Sequence, residues 1–195
     1  MAFIDTIPDD QIDDQVRAMY ERQASFWGFV PNYAKVFCYR PEIMGLWAQL
    51  QVGIKKTMDK RRYELVTFAA ANALRSTLCS LAHGKTLTEF FPGEAVQAMA
   101  RCEAPAGLTA GEAEMLNFAR KVAHDASSVT RQDVQRLKEL GFTDAEVFDI
   151  AAAASARAFF SKLVESLGVS AEASLLGLDE EFKRTLAVGR PVEFV

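Results

Sequence analysis

Apolar positions recur at three- and four-residue intervals along most of this chain, and no stretch of Val, Ile or Thr alternates with polar residues as a strand would. No Asn-Gly or Asp-Gly pair offers a hairpin turn. The pattern predicts an all-α fold. Pro8, Asp9 and Asp10 open a helix that reaches Ser25, with acid in its first turn as the helix dipole favours. Gly28-Phe29-Val30-Pro31 breaks the chain, a short helix follows through Val36 and Phe37, and Arg40-Pro41 marks the next boundary. A helix from Pro41 to Lys56 then places Ile43, Leu46, Trp47 and Leu50 at core-facing spacing. Helical pattern continues from Asp59 to Phe91, and Pro92-Gly93 starts a further short helix. Thr109 with Glu112 forms a capping-box signature for a helix ending near His124. Thr130 caps one that stops at Gly141, Thr143 caps a long one ending before Gly168, and a last helix covers Glu172 to Leu186.

A chain of 195 residues that is 50% apolar can bury a sizeable core. The whole of 1–195 is expected to form one domain in two helical halves. Residues 1–103 make the first and 108–170 the second, joined at the Glu103–Gly107 loop, with 171–195 as a C-terminal helix and tail. An internal echo supports related halves. Glu64–His83 and Glu146–Glu165, aligned without gaps, share Glu64/Glu146, three alanines, Arg75/Arg157 and Leu81/Leu163. In that alignment Ser161 stands where the first half has Cys79, and Glu165 where it has His83, so the chemistry falls to the first half.

Charge narrows the partners. A net charge of −4 and a pI near 5.3 give no electrostatic reason to bind nucleic acid or an anionic membrane. No apolar run approaches membrane-spanning length, and Met1–Asp5 lacks the basic start of a signal peptide, so the cytoplasm is the expected compartment. Three widely spaced cysteines, Cys38, Cys79 and Cys102, do not make a disulfide framework. With only His83 and His124 besides, no zinc ligand set is expected. His124 reads as a surface histidine at a helix end, Cys38 and Cys102 as packing residues, and Lys60-Arg61-Arg62 as a solvated helix start. The Phe26, Trp27 and Phe29 group reads as packing, in the chain or against another subunit.

The candidate chemistry lies in Ser76-Thr77-Leu78-Cys79-Ser80-Leu81-Ala82-His83. Cys79 and His83 are four apart, so a helix sets them one turn apart on one face. A histidine there can take the thiol proton, and the thiolate is the form that attacks peroxide. Ser76 is a candidate N-cap, which puts Cys79 at the third helical position near the positive end of the dipole.

The stretch from Glu64 to His83 resembles the core motif of the carboxymuconolactone decarboxylase and alkylhydroperoxidase D superfamily: a Glu, eleven residues, a Cys, two residues, a second Cys, three residues and a His. Glu64, Cys79 and His83 stand at matching positions, and Ser76 takes the place of the first Cys. Gly28-Phe29-Val30-Pro31-Asn32 is similar to a Gly-x-Val-Pro-Asn segment of the peroxidase-related members, and Phe159–Lys162 through Leu167-Gly168-Val169 resembles their final repeat. The resemblance implies a helical homo-oligomer, dimer, trimer or hexamer, that reduces hydroperoxides without cofactor or metal. It implies Cys79 as the peroxidatic thiol, His83 as its base and Glu64 as the group that orients or recharges His83.

Serine at position 76 cannot form a disulfide, so the motif's intramolecular resolving step is missing. An external thiol or dithiol is then needed as reductant, unless Cys38 or Cys102 resolves from elsewhere. There is also a geometric condition. In one unbroken helix, Glu64 and Cys79 would lie roughly 22 Å apart, too far for a proton relay. A break near Ser76-Thr77 is required, although no Gly or Pro marks it. Three functions follow: a peroxidase-like oxidoreductase acting on hydrogen peroxide or an organic hydroperoxide, a decarboxylase-type lyase using acid and base groups on a small cyclic carboxylate, or a non-catalytic helical oligomer.

Overall fold

The computed structural model of the chain describes residues 2–191, and among them every regular element is helical. The helices are α1 (Asp14–Trp27), α2 (Asn32–Val36), α3 (Pro41–Lys55), α4 (Lys60–Ala73), α5 (Thr77–Leu87), α6 (Gly93–Ala100), α7 (Ala110–Asp125), α8 (Arg131–Glu139), α9 (Asp144–Ser166), α10 (Ala173–Leu176) and α11 (Glu180–Leu186). The all-α expectation holds. The last four residues of the expected C-terminal tail, 192–195, lie outside the described residues.

Helix α4 is the axis of the molecule. Its residues Tyr63–Ala71 are buried without interruption, so it is enclosed on every side rather than lying on a surface. It packs on α5, α7 and α9, and Ala69, Ala70 and Ala71 allow those neighbours to come close. Ion pairs fix its N-terminal end: Arg61 to Glu112 and Arg62 to Glu146, both at 2.6 Å, and Lys60 to Glu89. The basic run expected to be merely solvated thus ties α4 to α7, α9 and the end of α5.

Four helices end in the same hydrogen-bonded turn, with one residue in the left-handed region. After α8 and α9 that residue is glycine, Gly141 and Gly168. After α4 it is Arg75 (φ 55°), and after α6 it is Cys102 (φ 61°). At α4 the Arg75 amide donates to the Asn72 carbonyl and the Ser76 amide to the Ala71 carbonyl, both at 2.9 Å. This turn makes the break the sequence required, and it ends α4 before α5 begins at Thr77. By contrast, the Glu146–Glu165 stretch aligned with it in the sequence runs through the single helix α9.

Several details correct the sequence expectations. Helix α1 starts at Asp14 rather than beside Pro8, because Asp13 takes the N-cap and accepts from the Val16 amide at 2.8 Å. The expected final helix is two short ones, α10 and α11, separated by the Gly177–Asp179 turn. On α3 the buried residues are Met44, Trp47 and Ile54, while Ile43, Leu46 and Leu50 face outward. Phe26, Trp27 and Phe29 are exposed as well. Cys102 is exposed, held at the surface by its left-handed turn rather than packed.

Candidate functional site

The turn at Leu74–Ser76 lays α5 back along α4, and this brings Glu64 to His83. Glu64 Oε2 and His83 Nδ1 are 2.6 Å apart, and both side chains are largely buried. The Thr67 hydroxyl, 3.3 Å from the same nitrogen, donates to the Tyr63 carbonyl and backs the ring. Burial works against the Glu64 carboxylate, but the adjoining His83 and then the Lys55 charge hold it below its ordinary 4.5. Burial, reinforced by the Arg157 charge, pushes His83 below its ordinary 6.5 against the pull of Glu64. At neutral pH the pair is therefore a carboxylate accepting from a neutral imidazole. Nδ1–H donates to Glu64, which leaves Nε2 as the basic nitrogen. The His83 side chain is 14% exposed.

Cys79 lies one turn before His83 on α5 and is only 3% exposed. Its sulfur is 3.9 Å from Nη1 of Arg157, which reaches across from the middle of α9. In the internal echo Arg157 is only the counterpart of Arg75. The signal that marks it is a lone charge inside the run Ala151–Phe160, otherwise Ala, Ser and Phe, where a cation has no solvent to reach. Trp47 and Phe160, stacked with centroids 5.0 Å apart, cover the guanidinium.

Ser76 does occupy the N-cap position of α5, but its side chain does not cap the helix. The hydroxyl donates to Glu165 Oε1 at 2.9 Å, two turns along α9 from Arg157. Cys38 is buried and its sulfur accepts from the Ile7 amide. Neither Cys38 nor Cys102 is among the described partners of Cys79, and all three thiols are free. His124 is exposed at the end of α7. A cleft of about 660 Å³ lined by Glu180, Lys183, Arg184 and Gly189 lies along the C-terminal segment and does not include Cys79.

The path of the chain matches solved structures over nearly its full length. An alkylhydroperoxidase AhpD core, an uncharacterized peroxidase-related protein from Ralstonia eutropha JMP134, superimposes with a TM-score of 0.74 over 97% of this chain and 98% of that one, at 22% identity. The chain has the alkylhydroperoxidase D-like fold. An uncharacterized peroxidase-related protein from Silicibacter sp. TM1040 aligns with a TM-score of 0.76 at 19% identity, over 90% of this chain and 94% of that one. The debrominase Bmp8, solved with 2,3,4-tribromopyrrole, aligns with a TM-score of 0.73 at 13% identity, over 91% and 95% of the two chains. No protein-family model and no curated protein matches the sequence. The alkylhydroperoxidase D-like fold is thus shared by proteins whose identity to this chain is low, and the likeness is one of architecture. Among the described residues no helix is long and apolar enough to cross a membrane, and no cluster of His, Cys, Asp and Glu is placed to hold a metal ion.

Proposed function

We propose that this protein is a thiol-dependent, peroxidase-like oxidoreductase that reduces hydrogen peroxide or an organic hydroperoxide through Cys79. The observation that carries the reading is the 2.6 Å bond between Glu64 and His83 across the α4–α5 turn, on the same helix as Cys79 and one turn beyond it. A carboxylate bonded to Nδ1 raises the basicity of Nε2 and stabilises the imidazolium that forms when the ring takes a proton.

In the proposed step, His83 Nε2 takes the Cys79 proton. The sulfur attacks the peroxide oxygen that bears hydrogen, forming an S–O bond as the O–O bond breaks. Sulfur gives up two electrons, and the leaving alkoxide or hydroxide takes the proton from His83. The products are a sulfenic acid at Cys79 and an alcohol or water. With Ser76 at the resolving position, an external thiol must condense with the sulfenic acid, releasing water, and a second thiol equivalent then frees Cys79. The low exposure of the sulfur favours a small peroxide over a bulky one.

The test is peroxide consumption with dithiothreitol as donor, together with trapping of the sulfenic acid at Cys79 by dimedone. Cys79→Ser is expected to abolish both. Turnover that survives the substitution refutes the thiol mechanism, and a native protein that consumes no peroxide leaves the lyase or the scaffold reading.

A further inference from the structure

Arg157 carries a charge that the step above does not use. It is 6% exposed, and burying a guanidinium is strongly unfavourable unless something compensates it. Its partners are the Cys79 sulfur, the Tyr63 hydroxyl and the faces of Trp47 and Phe160, none of them a carboxylate. Burial holds the Tyr63 phenol above its ordinary 10.0, so it stays neutral. The Glu64 carboxylate is bonded to His83 instead. Cys79 is therefore the group touching Arg157 that can acquire negative charge. A second observation points the same way: the Arg157 Nε is buried and has no hydrogen-bond partner among the described residues. The buried guanidinium is thus only partly compensated by its neighbours. The turned-away Ser76 side chain also leaves the first turn of α5 without a side-chain cap, so its positive end remains open toward Cys79.

We infer that Arg157 is a further catalytic residue of the proposed reaction: its guanidinium, in contact with the Cys79 sulfur, stabilises the negative charge that the sulfur carries once His83 takes its proton. This rests on Cys79 being the reacting group, but it can be tested without peroxidase turnover. The proton lost by the thiol goes to His83, so the net charge of the core is unchanged: the thiolate faces the Arg157 cation and the imidazolium faces the Glu64 carboxylate.

The experiment is alkylation of Cys79 by neutral iodoacetamide and anionic iodoacetate at neutral pH, followed by mass spectrometry of the modified peptide. Arg157→Gln should slow iodoacetamide at least about tenfold, since an opposite charge about 4 Å from the sulfur is removed from a poorly solvated site. Iodoacetate should slow further still, and Arg157→Lys should restore most of both rates. An unchanged rate in a folded Arg157→Gln protein overturns the inference, as does a Lys variant as slow as the Gln variant. Should the Gln variant not fold, the native protein decides: its iodoacetate-to-iodoacetamide ratio should exceed that of glutathione, and a lower ratio overturns the inference. Absence of peroxidase turnover with these alkylation results intact would refute the proposed function and leave the role of Arg157 at the sulfur standing.

Discussion

Replacing Glu64 by Gln keeps the shape of the side chain and removes its charge. The bond it makes to His83 is 2.6 Å long, and the two side chains are 8% and 14% exposed. A hydrogen bond to a charged group contributes about 1.5–3 kcal/mol and a neutral one about 0.5–1.5, so the difference is about 1–2 kcal/mol. Where that difference appears depends on the state of the ring. His83 is neutral in the resting protein, so at neutral pH folding loses only the preference of its N–H for a carboxylate over an amide. The loss is larger when His83 has taken the Cys79 proton and faces a neutral amide in place of a carboxylate. The rate of Cys79 oxidation should therefore fall roughly tenfold, while the melting temperature falls by only a few degrees. Single-turnover oxidation under excess hydrogen peroxide, followed by dimedone trapping, measures the first, and a thermal melt the second. The acid side supplies a further check. Glu64 is held below its ordinary 4.5, so its stabilising contribution is present above that pH and is lost as the pH falls through the folded-state value. The native protein and the Glu64→Gln variant should converge in stability toward acid. An oxidation rate within about twofold of native, in a variant that melts normally, would refute the relay.

Gly84 adjoins His83 on α5, where an added Cβ would collide with Leu186 and come within 3.2 Å of Phe68. Because both neighbours are fully buried, Gly84→Ala should cost about 1–3 kcal/mol in urea unfolding and slow Cys79 oxidation by shifting His83; a variant as stable as native contradicts this packing. Cys102 adopts a left-handed conformation that glycine tolerates, so Cys102→Gly should raise stability by about 0.5–1 kcal/mol, whereas a loss would mean the thiol side chain contributes to packing. Ile43, Leu46 and Leu50 form an exposed apolar row on α3, and the chain is expected to assemble with itself through such a surface. Light scattering should give the native protein a mass above one 21.5 kDa chain and Leu46→Glu a lower one; a native monomer would rule the assembly out.

The all-α architecture and most helix ends were legible in the sequence because they rest on local rules. Thr109, Thr130 and Thr143 cap their helices, each in a capping box, and Gly141 and Gly168 end theirs. The α4–α5 break was legible only through a family resemblance. Its left-handed residue is Arg75, and nothing local distinguishes that arginine from one inside a helix. What holds it is distant: its Nε donates to the Val188 carbonyl, and Gly189 lies so close that a Cβ would collide with the Arg75 carbonyl. The α3 error has a similar source, since three- and four-residue spacing defines an apolar stripe but not which stripe meets the core. Tertiary contact with Phe159 and Phe160 selects Trp47, while its helical neighbours face outward. Arg157 escaped because a cation that pairs with a thiol leaves no acidic partner in the sequence to flag it.

One face of α9 serves both Ser76 and Cys79 at the start of α5, and under the proposed function this bears on whether a resolving cysteine can be introduced at position 76. Arg157 contacts Cys79, and two turns later Glu165 accepts from Ser76. The two positions therefore face charges of opposite sign: a cation beside Cys79, and beside Ser76 a carboxylate that Arg190, at 3.8 Å, offsets only in part. In a Ser76→Cys variant, positions 76 and 79 keep the N-cap-to-third-residue separation, about 5–6 Å between Cα atoms, which a disulfide can span. Geometry is thus no obstacle, but the introduced thiol would have to ionise against Glu165, and a neighbouring negative charge disfavours the thiolate that must attack the sulfenic acid. Ser76→Cys alone should form the disulfide slowly after peroxide treatment. Adding Glu165→Gln removes the opposing charge and should speed closure roughly tenfold, read as loss of free thiol and of dimedone labelling. Equal rates in the single and double variants would show that Glu165 does not control this position. Rapid closure in the single variant would likewise refute control of this position by the Glu165 carboxylate.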